Sequence, residues 1–202
     1  MLRSLLPLSA LLMGSAFLLF AGGVNTLILP LRGEIEGFSA ASLGLLGTGW
    51  AVGYVLGCLR TPAMVAAVGH IRAFGVMCAL AAITVLLSLL FLTPWVWIPL
   101  RAISGFCFAG AAMVVESWLN EQSESHQRGM VFASYMVVTY LGLVLGQVVF
   151  AIKPELSLDH LLYVAMCFSL CLVPVATTRQ IHPAPLRPAP LKARLFLQRI
   201  PQ

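Results

Sequence analysis

Charge is the scarcest property of this sequence: Lys, Arg, Asp and Glu make up 9% of its 202 residues. A water-soluble domain carries about a quarter, so this chain cannot coat such a domain with polar surface, and that class is excluded. Cysteine and histidine are also few, at 5 and 4. Cys58, Cys78, Cys107, Cys167 and Cys171 all fall in apolar runs. Their number is odd and no pair has metal-ligand spacing, so they read as small buried hydrophobes rather than a metal or disulfide framework. No cofactor motif accompanies them. None of the histidines lies well inside an apolar run. His70, His126, His160 and His182 read as solvated connector or tail residues. An intramembrane enzyme is therefore not expected, since Ser15 and Ser104 have no histidine at their depth and Glu116 is the only acid within a run. The formal net charge of +5 raises nucleic acid as a partner. The charges lie between apolar runs and in the tail rather than on one face, which argues against it. Rings of charge and a carbonyl filter, the marks of a channel, are absent from the pattern.

What is present is apolar residue, 60% of the chain, with a mean hydropathy of +0.96. That supplies about six membrane spans of ~20 residues each. The uninterrupted runs fall at residues 5–31, 42–64, 73–92, 95–119, 129–152 and 161–177. Irregular chain does not cross hydrocarbon, so these runs imply helices. The fold class expected is all-α, a polytopic membrane protein with six transmembrane helices over residues 1–178. A Pro-rich basic cytoplasmic tail follows at 179–202. The first run starts like a signal peptide but stays apolar past Ala21-Gly22-Gly23 to Pro30, far beyond the ~7–15 residues of a signal core. It reads as a retained span.

Short connectors force successive spans to alternate direction. With the amino terminus inside, the cytoplasmic face receives Arg3, Arg60, Arg72, Arg128 and the five Lys and Arg residues after Thr177. The other face receives Arg32 and Lys153, beside Glu34, Glu36, Glu155 and Asp159. Positive charge marks the inner side, which places both termini in the cytoplasm. Trp95 and Trp97 then open the fourth span at the outer interface, where aromatic residues collect.

Helices in lipid associate through small residues that let backbones approach. Gly49, Gly53 and Gly57 form such a stripe, as do Gly142 and Gly146, while Gly105 and Ala109 share a face of the fourth span. Polar residues inside the spans call for another account, because a charge at mid-membrane costs ~2.5–3.5 kcal/mol on the insertion scale. Arg101 lies six residues after Trp95, ~9 Å into its helix. It reads either as a snorkelling cation or as one that faces a cavity. Asn25 and Gln147 lie at a similar depth in the first and fifth spans. With Arg101 they form a candidate cluster for substrate or proton coupling. Glu116 is about 22 Å further along the fourth helix, near Arg72 and Arg128. It reads as a pin between connectors or as a gate or coupling carboxylate.

Three stretches carry a family resemblance. They are Gly57-Cys-Leu-Arg-Thr-Pro through Gly69-His-Ile-Arg72, then Arg101-Ala-Ile-Ser-Gly105, then Glu116-Ser-Trp-Leu through Arg128-Gly129 to Gly142-Leu-Val-Leu-Gly146-Gln147. Together they resemble the amino-terminal six-helix half of a major facilitator superfamily transporter, in its bacterial YcaD-like branch. The resemblance implies two six-helix bundles around a cavity that opens alternately to each side, with small solutes carried and protons usually coupled. It implies a multi-pass protein of the plasma membrane, the bacterial inner membrane, with lipid, solute and protons as partners and no nucleic acid. Gly69 and Arg72 match the family's cytoplasmic gate motif, with Arg128 and Glu116 as further gate candidates. Ala66-Ala67 stand where that motif has acidic and basic residues, and Gln147 stands where an antiporter motif has proline. Arg101 and Gly105 match the fourth-span motif, whose arginine is linked to proton transfer. The family has about twelve spans against six here, so a second six-helix bundle is expected, either a missing half or another copy of this chain. The glycine stripes of the second and fifth spans are the faces expected to lie bare for it. The alternative is a truncated or assembly-only membrane protein without transport of its own.

Overall fold

A computed structural model describes residues 9–152 and 158–176. Their helices are α1 (Ser9–Ile35), α2 (Ala40–Val68), α3 (His70–Leu90), α4 (Pro94–Gln122), α5 (Arg128–Ile152), α6 (Leu158–Leu170) and α7 (Leu172–Ala176). The helices α1 to α5 are each long and apolar enough to cross a membrane. The shorter apolar stretch Asp159–Val175, interrupted between α6 and α7, is the sixth. The protein is an all-α bundle, and its exterior is apolar. Val52, Val55 and Leu59 on α2 and Val137, Leu141 and Val144 on α5 are all exposed. A soluble monomer rarely leaves so continuous an apolar surface bare.

Local chemistry sets the connections. At the end of α1, the Phe38 N–H donates to the Gly33 carbonyl (2.9 Å) and the Gly37 N–H to the Glu34 carbonyl (3.0 Å). Gly37 takes φ +77° there, the left-handed C′ position that glycine fills without a Cβ penalty. Ser39 caps α2, its Oγ accepting from the Ser42 N–H at 3.2 Å. A single residue, Gly69 at φ +83°, separates α2 from α3. Pro94 opens α4, where a missing N–H has no consequence.

Two pins close the ends of the bundle. At one, the fully buried Trp97 indole N–H donates to the carbonyls of Ser88 (3.0 Å) and Phe91 (2.7 Å), and Phe38 meets its ring edge-on at 5.0 Å. Trp97→Phe keeps an aromatic ring but strands the Ser88 and Phe91 carbonyls. The expected loss is ~1–3 kcal/mol, read as a lower melting temperature in detergent by scanning fluorimetry. At the other end, the His70 ring nitrogen Nε2 lies 3.0 Å from Ser117 Oγ and 3.8 Å from Glu121. The Trp118 ring packs beside it.

The packing order is symmetric. The principal pairs are α2 with α4, α1 with α5, α3 with α4, α3 with α6 and α1 with α6. Exchanging α1, α2 and α3 for α4, α5 and α6 maps this set onto itself. Both parallel pairs, α2–α4 and α1–α5, are glycine-mediated. A Cβ built on Gly49 would lie 3.0 Å from the Ile98 carbonyl oxygen, and one on Gly57 2.6 Å from that of Phe106. On Gly53 it would land on the Ala102 carbonyl. Gly105 reciprocates against Trp50. In the other pair, a Cβ on Gly142 would lie 2.7 Å from the Ala16 carbonyl oxygen, Gly146 meets Phe20, and Gly23 meets Leu143.

Several expectations from sequence need correction. The glycine stripes are not left bare, because α4 and α1 occupy them and the opposite faces of α2 and α5 are the exposed ones. The first helix does not close at Arg32, and the second does not end at Met64. Each continues for about one more turn, to Ile35 and Val68, since ends at the interface need only a cap and not apolar side chains. His70 is not solvated: it is 3% exposed, in the interhelical contact described above. Arg3, Lys153, Glu155, His182 and the whole of 179–202 lie outside the described residues.

Candidate functional site

A cavity of about 430 Å³ opens between α1, α2, α4 and α5. Its walls follow helical spacing. Arg101, Phe108, Ala112 and Glu116 line it from α4 and Tyr135, Thr139, Leu143 and Gln147 from α5. Steps of four and seven residues return to one face of a helix. Asn25 and Thr26 contribute from α1, and Trp50 and Tyr54 from α2. On both outer helices the cavity row sits one residue beyond the glycine row: Trp50 and Tyr54 follow Gly49 and Gly53, while Leu143 and Gln147 follow Gly142 and Gly146. Close approach along one row thus aims the adjacent row at the cavity.

The structure brings Asn25, Arg101 and Gln147 together in this one cavity. Arg101 is partly buried, and among the described residues its guanidinium has no carboxylate partner, since the ion pairs there are Arg32–Glu36, His70–Glu121 and His126–Glu124. Asn25 is 2% exposed, and its Oδ1 has no hydrogen-bond partner among the described residues. Behind Arg101 a pocket of about 10 Å³ is bordered by Asn25 and Ser104, whose Oγ also lacks a partner among them. That is room for one water between two groups that need one.

Glu116 belongs to the same cavity, at its far end from Arg101. Its carboxylate is exposed and within hydrogen-bonding reach of the Tyr135 hydroxyl. The structure does not bring it to an arginine, so the reading of Glu116 as an ion-pair pin with Arg72 and Arg128 is corrected. Helical phase explains this: fifteen residues make about four full turns, which puts Glu116 on Arg101's face. Arg72 is exposed in the first turn of α3. Exposed Arg128 reaches the Asn120 carbonyl at 3.5 Å instead. Gly69 is the link between α2 and α3, away from the cavity's lining.

Sequence reasoning missed the aromatic wall. Trp50 and Tyr54 lie 5.1 Å apart, Trp50 and Phe108 6.5 Å, and Tyr135 and Tyr140 complete the lining. The signal was available in the i, i+4 pair Trp50–Tyr54 beside the glycine stripe. No three His, Cys, Asp or Glu side chains among the described residues converge as a metal site.

Comparison with known proteins adds two findings. The family model of the Major Facilitator Superfamily matches residues 11–198. An uncharacterized MFS-type transporter of Enterobacter sp. (strain 638) is 28% identical over 176 residues, covering 87% of this chain and 46% of the relative. One from Yersinia pestis is 24% identical over 193 residues, covering 96% and 50%. The uncharacterized MFS-type transporter YcaD of Salmonella arizonae is 28% identical over 177 residues, covering 87% and 46%. The chain spans about half the length of the curated relatives it matches.

Proposed function

Because the chain belongs to the Major Facilitator Superfamily, and so is a multi-pass membrane protein of a transporter family, we propose that it is one six-helix half of a proton-coupled carrier of small solutes. It works by alternating access in the bacterial inner membrane, with both termini cytoplasmic. The observation that carries this reading is the convergence of Arg101, Asn25 and Gln147 on a 430 Å³ cavity within helices that span the membrane. Ionisable residues at such depth mark solute and proton paths. A second bundle faces this cavity across the exposed sides of α2 and α5, as the other half of a longer chain or as another copy. Gly69 between α2 and α3, Arg72 in the first turn of α3 and Arg128 at the start of α5 contribute to the inward gate. Glu116 is the proton-coupling carboxylate, exposed to the cavity and next to Tyr135.

The test is accumulation of small organic anions, cations and neutral solutes by membrane vesicles energised with a proton gradient. Transport by this chain alone would identify the second bundle as another copy, and transport only by a longer chain would identify it as a covalent half. No transport by either, with protein present in the membrane, rejects the carrier reading in favour of an assembly-only protein. Glu116→Gln is expected to reduce gradient-driven accumulation at least tenfold while downhill exchange continues. Equal loss of both would remove Glu116 from coupling.

A further inference from the structure

Resting on that reading, we propose the solute class: a planar organic monoanion whose carboxylate is held at the Arg101 end of the cavity while its ring lies on the Trp50–Tyr54 wall. The two charges of the cavity are not equivalent. Glu116 is exposed and next to the Tyr135 hydroxyl, which can donate to its carboxylate, so water and that hydroxyl can satisfy it. Arg101 is partly buried and has no carboxylate, carbonyl or ring partner among the described residues. A cation taken out of water without a counter-charge is unfavourable unless an anion joins it. The guanidinium fork matches a carboxylate in two parallel hydrogen bonds.

The surroundings fit that occupant. The Asn25 and Gln147 amides line the same cavity as Arg101 and carry N–H groups that can donate to an anion there. The water-sized pocket behind them lets a water donate to the otherwise orphaned Asn25 Oδ1. Trp50, Tyr54 and Phe108 supply an aromatic wall on which a ring gains offset or edge contacts. A cavity of about 430 Å³ takes a solute of one or two fused rings.

The experiment is equilibrium dialysis of the purified full chain in lipid nanodiscs at pH 7, with 2-naphthoate, 2-naphthamide and 2-naphthylmethylammonium as probes. Naphthoate is expected to bind at least tenfold tighter than either of the others. Arg101→Gln should abolish that preference, Arg101→Lys should retain part of it, and Gly47→Ala, which lies outside the cavity lining and whose added Cβ meets nothing within 4 Å, should leave it unchanged. Helical circular dichroism confirms that each variant is folded. Preference for the ammonium, equal binding of all three, binding of none, or an unchanged preference in Arg101→Gln overturns the proposal. Selective naphthoate binding without vesicle transport would sink the carrier reading and keep the anion site. Transport restricted to cations or neutral solutes would do the reverse.

Discussion

Gly53→Ala is expected to remove most of the folded protein, although it adds a single methyl group. The added Cβ would land on the Ala102 carbonyl, which is backbone and has no rotamer to yield. Relief requires α4 to move away from α2 along a contact that also holds Gly49 and Gly57 on one helix and Gly105 on the other. Overpacking typically costs ~1–3 kcal/mol, and a clash with backbone on a fully formed parallel pair belongs at the upper end or beyond. That corresponds to a melting temperature lower by roughly 6–12 °C for a chain of this size. A sharp drop in the monodisperse peak by fluorescence-detected size exclusion should accompany it. The control is Gly47→Ala, six residues earlier on the same helix, where an added Cβ meets nothing within 4 Å. It should be neutral or slightly stabilising, because alanine is the better helix former. Equal effects at the two positions would mean that the α2–α4 contact is not formed by this glycine row.

The same comparison shows what could be read from the sequence and what could not. Hydropathy alone was enough for an all-α membrane bundle, because lipid admits no other structure made of such runs. The depth argument put Asn25, Arg101 and Gln147 at one level, and depth follows from residue counting along a rigid rise of ~1.5 Å. Rotation about the helix axis is what counting along the chain left out. Distance from Arg101 and nearness to Arg72 and Arg128 make Glu116 read as a connector pin, whereas its phase turns it into the cavity. The glycine stripes of the second and fifth spans read as faces left bare for a second bundle, whereas α4 and α1 fill them. Whether α2 meets α4 or a second bundle is a tertiary choice, set by which rows interdigitate. His70 shows the same limit: a polar residue next to a connector glycine reads as solvated until Ser117 and Glu121 of another helix are seen beside it. Trp50, Tyr54 and Tyr140 carry no cavity signal of their own, because aromatic residues are common on lipid-facing surfaces too, and only the packing separates the two.

Water access to the cavity between α1, α2, α4 and α5 at membrane depth is what the carrier reading needs most. Leu143 and Val144 test it from adjacent positions at the same depth: Leu143 lines the cavity, while Val144 is 49% exposed on the apolar outer face of α5. A thiol reacts with a membrane-impermeant methanethiosulfonate reagent as the thiolate, and apolar surroundings suppress ionisation by about tenfold for each unit of raised pKa. The measurement is the labelling rate of Leu143→Cys and Val144→Cys in membranes, above the background of the native cysteines. Labelling of Leu143→Cys is expected to be at least ~100-fold faster than that of Val144→Cys. Equal rates, or the faster reaction at Val144→Cys, would mean that the cavity is closed to water.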